Sequence, residues 1–281
     1  MRILFFPCFF LLLLTACKNE SPRDSKPVQP VASNNNQTLP DSVVNTTPEV
    51  LPTGLRLKAF KFSEESCDLT IPEDMDIMAD WCNKREVNGL KVSLNNEEIA
   101  SKINKEICKA ITGKLGDQQT IKKFVRNIKN LHNEAGDIEL LQDEYNCKLM
   151  DSSLSYLSIQ LSTYSYGLGM AHGISGVQML NFDLNTGEKI KLSDLFVDNY
   201  RKELKAFAKK KFIEQNGKEG WWFESGEQAF DLPNEFVITR KGIKFCYQAY
   251  EIGPYVVGLP EIKIKKEDLA KWLKDNPYLK L

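Results

Sequence analysis

The chain has 281 residues, with 37 Lys and Arg against 38 Asp and Glu and a formal net charge of −1. That balance excludes a basic nucleic-acid surface, and no run of like charge is long enough to serve as an interaction tail. With only two His, no Cys-x-x-Cys and no His pair at i, i+4, neither a metal nor another cofactor is expected.

The N-terminus carries the most information. Met1-Arg2 is followed by an apolar run from Ile3 to Leu14, then Leu14-Thr15-Ala16 and Cys17. A positive start, a short apolar stretch and a small residue at the cut form a secretory signal pattern. The run is too short to span a bilayer, which needs ~20 apolar residues. Leu-Thr-Ala-Cys resembles a bacterial lipobox, whose cysteine is acylated (palmitate-type chains) and becomes the mature N-terminus. Residues 1–16 are therefore read as a lipoprotein signal peptide and Cys17 as the membrane anchor. The expected location is the cell envelope, facing either the periplasm or the surface. Residues 17–52 hold no aromatic side chain and no sustained period, so they read as a disordered tether. Its root-mean-square reach is on the order of 30 Å.

From residue 53 onward the pattern is that of a folded domain. Leu55–Phe62 alternates apolar and polar, as a half-buried strand does, and Val87–Leu94 is a second strand. Asn95 or Asn96 caps a helix bearing Ile99, Ile103, Ile107 and Ile111 at fourfold spacing, closed by Gly113. Thr120 starts another helix, with Ile121, Phe124, Val125, Ile128 and Leu131 as its apolar positions. The period then changes to two: Tyr145–Met150, Tyr156–Tyr164 and Met179–Leu184 are strands, the last entering an Asn185-Thr186-Gly187 turn. Lys189–Leu192 continues extended, Ser193–Phe196 makes a short turn or helix, and Tyr200–Gln215 is helical up to Gly217. Lys209, Lys210 and Lys211 form the solvated face of that helix near its C-terminus. Phe236–Thr239 and Ile243–Cys246 flank a hairpin turn, Glu261–Ile264 is a last strand, and Glu267–Lys274 a terminal helix. Strands and helices do not alternate regularly. The expected fold is α+β, with mostly antiparallel sheets, helices packed on one side, and two intertwined sub-domains at 53–149 and 150–281.

Five cysteines lie in the mature domain, where export permits disulfides. Cys67 with Cys82, beside Trp81, is the first candidate pair, and Cys108 with Cys147 the second; Cys246 is left over. Connectivity does not follow from sequence, and the alternative, five reduced thiols packed as small hydrophobes, stays open.

Gly169-Met170-Ala171-His172-Gly173, Asn181–Lys189 and Leu192–Phe196, with Ile238–Ile243 and Tyr250–Tyr255, together resemble the DUF3298 family of exported bacterial domains over about residues 150–281. Residues 53–149 resemble the DUF4163 half that precedes it. This pair of halves forms the lysozyme-binding extracellular part of the anti-sigma-V factor, so the resemblance implies an α+β extracytoplasmic binding module without implying an activity. The chain departs from that protein at its start: a lipobox replaces a transmembrane helix, so a cytosolic sigma factor is out of its reach.

Tyr250, Glu251, Pro254 and Tyr255 form the leading candidate binding surface, since rigid aromatic loops are enriched at interfaces. The alternative is that these rings pack the hairpin onto the Tyr200–Gln215 helix. Trp221 and Trp222 form a second aromatic run, able to stack on sugar rings or a protein, or to plug a long loop. His172, between a small residue and a glycine, has two readings: an acid–base partner of Glu251 or Asp183, or a loop residue bonded to its neighbours, with Asp183 capping the Asn-Thr-Gly turn. The second is favoured, and His132 reads as solvent-facing. No nucleophile elbow or phosphate loop is present. The chain is read as a lipid-anchored binding protein rather than an enzyme, with lysozyme or another wall-acting protein as partner. The competing class is a peptidoglycan- or glycan-associated accessory or hydrolytic domain.

Overall fold

The computed structural model describes residues 54–67, 81–128, 131–132, 138–139, 141–167, 170–217 and 230–280. Cys17, residues 18–52 expected as a tether, Trp221 and Trp222 lie outside them, as does the side chain of His132. The elements in chain order are β1 (Arg56–Ser66), β2 (Asn83–Ser93), α1 (Glu97–Thr112), α2 (Gln118–Arg126), β3 (Leu131–His132) and β4 (Ile138–Glu139). They continue with β5 (Leu141–Ser152), β6 (Tyr156–Gly167), β7 (Ile174–Asp183), α3 (Leu192–Leu195) and α4 (Tyr200–Asn216). Last come β8 (Glu235–Thr239), β9 (Gly242–Cys246), a 3₁₀ turn (Tyr255–Val257), β10 (Glu261–Lys265) and α5 (Lys266–Leu269). Among these residues no helix is long and apolar enough to cross a membrane.

Strands β1-β2-β5-β6-β7 form a five-stranded sheet in that order. Every pairing is antiparallel except β2 with β5, and that parallel pair is joined through α1 and α2, since parallel neighbours need a crossover. The sheet takes strands from both halves of the chain, and the 149/150 division falls inside β5, beside its bulge at Leu149/Asp151.

The fourfold isoleucines place Ile103, Ile107 and Ile111 on one face of α1, and alternation places Leu157, Ile159 and Leu161 on one face of β6. These two faces, with Val87, Ile121 and Val125, make a buried core. Helix α1 begins where Asn96 Oδ1 accepts the N–H groups of Glu98 and Ile99, at 3.0 and 3.2 Å, and ends at Gly113 in the left-handed region. Helix α2 starts earlier than Thr120. Asp117 is its cap, and Thr120 closes the reciprocal box.

On the other face of the main sheet lies a second sheet, β10-β9-β8. Val237 and Cys246 turn toward Val177, Met179 and Met150, while Phe236, Ile238, Ile243, Phe245, Ile262 and Ile264 turn the opposite way onto Leu204, Ala208 and Phe212 of α4. Lys209 and Lys210 are exposed, and Lys211 pairs with Glu214 at 3.2 Å.

The outward edge of β7 is sealed by side chains and turns. Gln248 Oε1 accepts Val177 N–H (3.0 Å), Gln248 Nε2 donates to Val177 O (2.5 Å), and the Glu235 carboxylate accepts Met179 N–H. Further along, Ile190 N–H donates to Asn181 O (2.8 Å) and Asp183 N–H to Glu188 O (2.9 Å). An edge so occupied has little left to offer another strand.

Cys67 and Cys82 are bonded, with Cα atoms 4.1 Å apart. Because Ser66 pairs with Asn83, the two cysteines occupy the next rung of the β1–β2 ladder. The second expected pair is corrected: Cys108 and Cys147 are free, as is Cys246. Cys108 is buried in the α1 core and Cys147 packs half-buried against it, each filling space as a small hydrophobe. Burial pushes the Cys147 and Cys246 thiols up to about 11, with nearby acidic groups adding to the effect at Cys246. The terminal helix is also corrected to the single turn Lys266–Leu269. Trp272 and Leu273 N–H still turn back to Leu269 O, at 2.9 and 3.2 Å, but Trp272 O accepts from Val197 N–H (2.8 Å) and Lys274 N–H donates to Leu195 O (3.0 Å).

Candidate functional site

Strand β9 ends at Cys246, and the chain is then anchored by Tyr247, which is buried against Phe212 and donates its hydroxyl to Asp231 O at 2.6 Å. From this anchor the segment 248–257 projects outward. Tyr250 sits at φ +65°, a conformation costly for a residue with a side chain, and is held there while Glu251 N–H bonds Gln248 O and the next residue, Ile252, is buried. Pro254 leads into the 3₁₀ turn that carries Tyr255.

The β6–β7 connection meets this segment. Tyr255 donates its hydroxyl to Gly173 O at 2.6 Å, and its ring stacks on His172 with centroids 3.8 Å apart and an 18° interplanar angle. His172 Nδ1 lies 3.0 Å from Gly173 O and Nε2 lies 3.2 Å from the Tyr250 hydroxyl. A carbonyl can only accept, so Nδ1 carries the hydrogen of the first bond; in that tautomer Nε2 accepts from Tyr250. Tyr250 and Tyr255 are 5.6 Å apart. Gly173 is needed for closeness: a Cβ there would fall 2.3 Å from the ring of Tyr164. The result is an exposed corner of three stacked or tilted rings, with Tyr250 43% exposed and Val256 87% exposed beside them.

The structure thus brings His172, Tyr250 and Tyr255 together, with Pro254 exposed next to them. It does not assemble the acid–base set. Asp183 lies nine residues from Ile174 along β7, about 30 Å at ~3.3 Å per residue. It caps its turn, its Oδ1 accepting the N–H groups of Asn185 and Thr186, and Tyr278 donates to its Oδ2 at 2.5 Å. Glu251, although exposed overall, turns its carboxylate onto Gln248 N–H (2.7 Å). Desolvation and the charge of Asp231 raise its pKa. Burial likewise raises Glu235, and the Glu251 charge adds to it.

Other residues of the 181–189 segment serve the frame. Asn181 is buried and bonded three ways: Ser158 Oγ–H and Ile238 N–H donate to its Oδ1, at 2.7 and 3.0 Å, and its Nδ2 donates to Phe236 O at 2.7 Å. It stitches the two sheets together. Gly187, at φ +73°, turns the chain so that Glu188 and Lys189 pair with Lys102 and Glu106 of α1.

Sequence reading missed Tyr164 and Tyr166. Their signal was there: they continue the polar positions of β6, opposite Leu157, Ile159 and Leu161. A cleft of about 600 Å³ between β2, α1 and α2 is lined by Arg56, Lys91 and Lys105 together with Glu97 and Asp117, and contains none of the sequence candidates. Among the described residues, Glu65, Cys67 and Cys82 are the one cluster of metal-ligating types, and its two sulfurs are joined to each other.

Residues 193–267 match the family described as Protein of unknown function (DUF3298). A crystal structure of a DUF3298 family member from Bacteroides fragilis NCTC 9343 is similar, with TM-score 0.65 and 19% identity over 79% of this chain and 95% of that one. A DUF3298 family protein from Pseudomonas aeruginosa PAO1 is similar with TM-score 0.59 and 17% identity, over 81% of this chain and 98% of that one. At these identities the likeness is one of fold. No curated protein matches the chain.

Proposed function

We propose, for a chain whose residues 193–267 match DUF3298, a lipid-anchored binding protein of the cell envelope. Cys17 holds it on the membrane, residues 18–52 lift the domain away, and the His172–Tyr250–Tyr255 corner meets lysozyme or another wall-acting protein. The partner comes from the resemblance to the anti-sigma-V factor. The observation that supports a docking surface here is the convergence of three sequence candidates into one exposed, hydrogen-bonded aromatic corner. Rings fixed in advance lose little conformational freedom on binding, which favours recognition. Binding rather than catalysis is supported by the engagement of Asp183 and Glu251 elsewhere.

The test is capture of lysozyme by the full chain. Tyr250→Ala is expected to weaken capture by roughly thirtyfold, the effect of removing a central aromatic worth ~2 kcal/mol, with an unchanged melting curve. Cys17→Ser is expected to release the protein from membranes or leave it as precursor. Wild-type chain that ignores lysozyme at micromolar concentration would exclude that partner. A Cys17→Ser chain that stays membrane-bound, mature-sized and lipid-labelled would exclude the anchor.

A further inference from the structure

The second sheet covers only part of the main sheet's outer face. Val177, Met179 and Met150 lie beneath it, and Tyr164, two residues beyond the Ser162–Val177 pair, is 40% exposed. Register carries the open part across the sheet: Tyr164 faces Glu144 and Tyr166 faces Gln142, while Glu144 and Asn146 pair with Glu86 and Asn88 of β2. Alternation sets these side chains on one face, opposite the buried Arg85–Asp143 ion pair on the helix side. With β1 and β7 at its borders the face is about 20 Å across, at ~4.8 Å per strand.

Its chemistry is specific. Asn88 Nδ2 donates to Glu86 Oε1 (2.9 Å) and to Asn146 Oδ1 (2.8 Å), and Lys61 pairs with Glu86 at 2.9 Å. This fixes Asn146 by its acceptor and leaves its amide hydrogens without an acceptor among the described residues. Gln142 is fixed the other way, its Nε2 donating to Cys82 O at 3.4 Å, which leaves its carbonyl oxygen as acceptor. The Glu144 carboxylate is exposed between them. Rings flank this row of planar polar groups along β6, Tyr164 beside Glu144 and Tyr166 beside Gln142, with Trp81 packed against Tyr166 at 5.8 Å. Lys61 and Lys84 offset Glu86 and Glu144 on the same face, so it presents no net field to a charged partner. Two pre-oriented acceptors and a donor, at Gln142, Glu144 and Asn146, flanked by aromatic rings and without net charge, complement a neutral chain of hydroxyl groups, since each hydroxyl both donates and accepts.

We propose that this open half-face binds a neutral linear glycan. It adjoins the Tyr250–Tyr255 corner at Tyr164, whose ring packs on Gly173, while Glu144 and Asn146 lie across the sheet on β5, so the two readings are told apart by which variants lose which ligand. The experiment is titration calorimetry of the full chain in detergent with chitohexaose, backed by an array of neutral oligosaccharides. Wild type should bind. Tyr164→Ala and Asn146→Ala should each weaken binding about tenfold, as loss of a ring platform or a directed hydrogen bond does. Tyr250→Ala should leave glycan affinity within twofold. Glu144→Ala, at an exposed side chain, supplies a third variant should either of the others lower the melting temperature, and it too should weaken binding. Absence of binding to chitohexaose and to every neutral oligosaccharide overturns the proposal. So does undiminished binding by folded Tyr164→Ala and Glu144→Ala, or loss of lysozyme capture alone in these variants, which would make the face part of a protein interface.

Discussion

Asn181 is where one side chain decides the relation of two sheets. Its amide satisfies Ser158, Ile238 and Phe236 at a site only 2% exposed, so truncation leaves three buried polar groups without their partner. Asn181→Ala should therefore cost about 3 kcal/mol, read as a drop in denaturation midpoint at unchanged m-value. Glu235 acts at the same seam with a different sign of electrostatics. Burial raises its folded pKa above the ordinary 4.5, so the native state keeps a proton that the unfolded chain gives up. Stability should then rise as pH falls from neutral toward 4.5, because the buried charge disfavours the native state at neutral pH. Gln keeps an acceptor for Met179 N–H without that charge. Glu235→Gln should melt higher than wild type at neutral pH, and the difference should vanish below pH 4.5, where both states of the wild type are protonated. A constant difference across the pH range would mean that charge burial is not the cause.

At the scale of elements, the Cys67–Cys82 bond closes the base of the loop that joins β1 to β2, across a sequence separation of 15. A loop of that length, if freed, should cost about 3 kcal/mol through the entropy returned to the unfolded chain. The Cys67→Ser/Cys82→Ser double variant should lose that much in urea unfolding, whereas Cys108→Ala and Cys147→Ala should report only packing. Elements with a strong local code were legible: the fourfold isoleucines and caps of α1, the alternation of β6, and the hairpin of β8 and β9. The terminal helix was overread, because Glu267–Lys274 has helical composition while Trp272 O and Lys274 N–H are bonded to Val197 and Leu195. That competition is between distant segments and leaves no local mark.

For the whole molecule, the tether and the domain should be energetically independent. Residues 18–52 lack a core-forming pattern, so deleting 18–50 should leave the melting temperature of the chain within about a degree of wild type. A large fall would mean that the segment packs on the domain.

The sequence alone determined the α+β class and most strands and helices, because each is written in neighbouring residues. It also offered His172, Tyr250 and Tyr255 as separate candidates, without a reason to join them. Only tertiary structure decided that these three meet while Asp183 lies at the far end of β7, that Cys108 and Cys147 remain thiols, and that Tyr164 and Tyr166 border an open polar face. The physical reason is the same in each case. Side-chain periodicity fixes which face of an element is buried, but the partner across that face is set by strand register and crossover, and these join residues tens of positions apart.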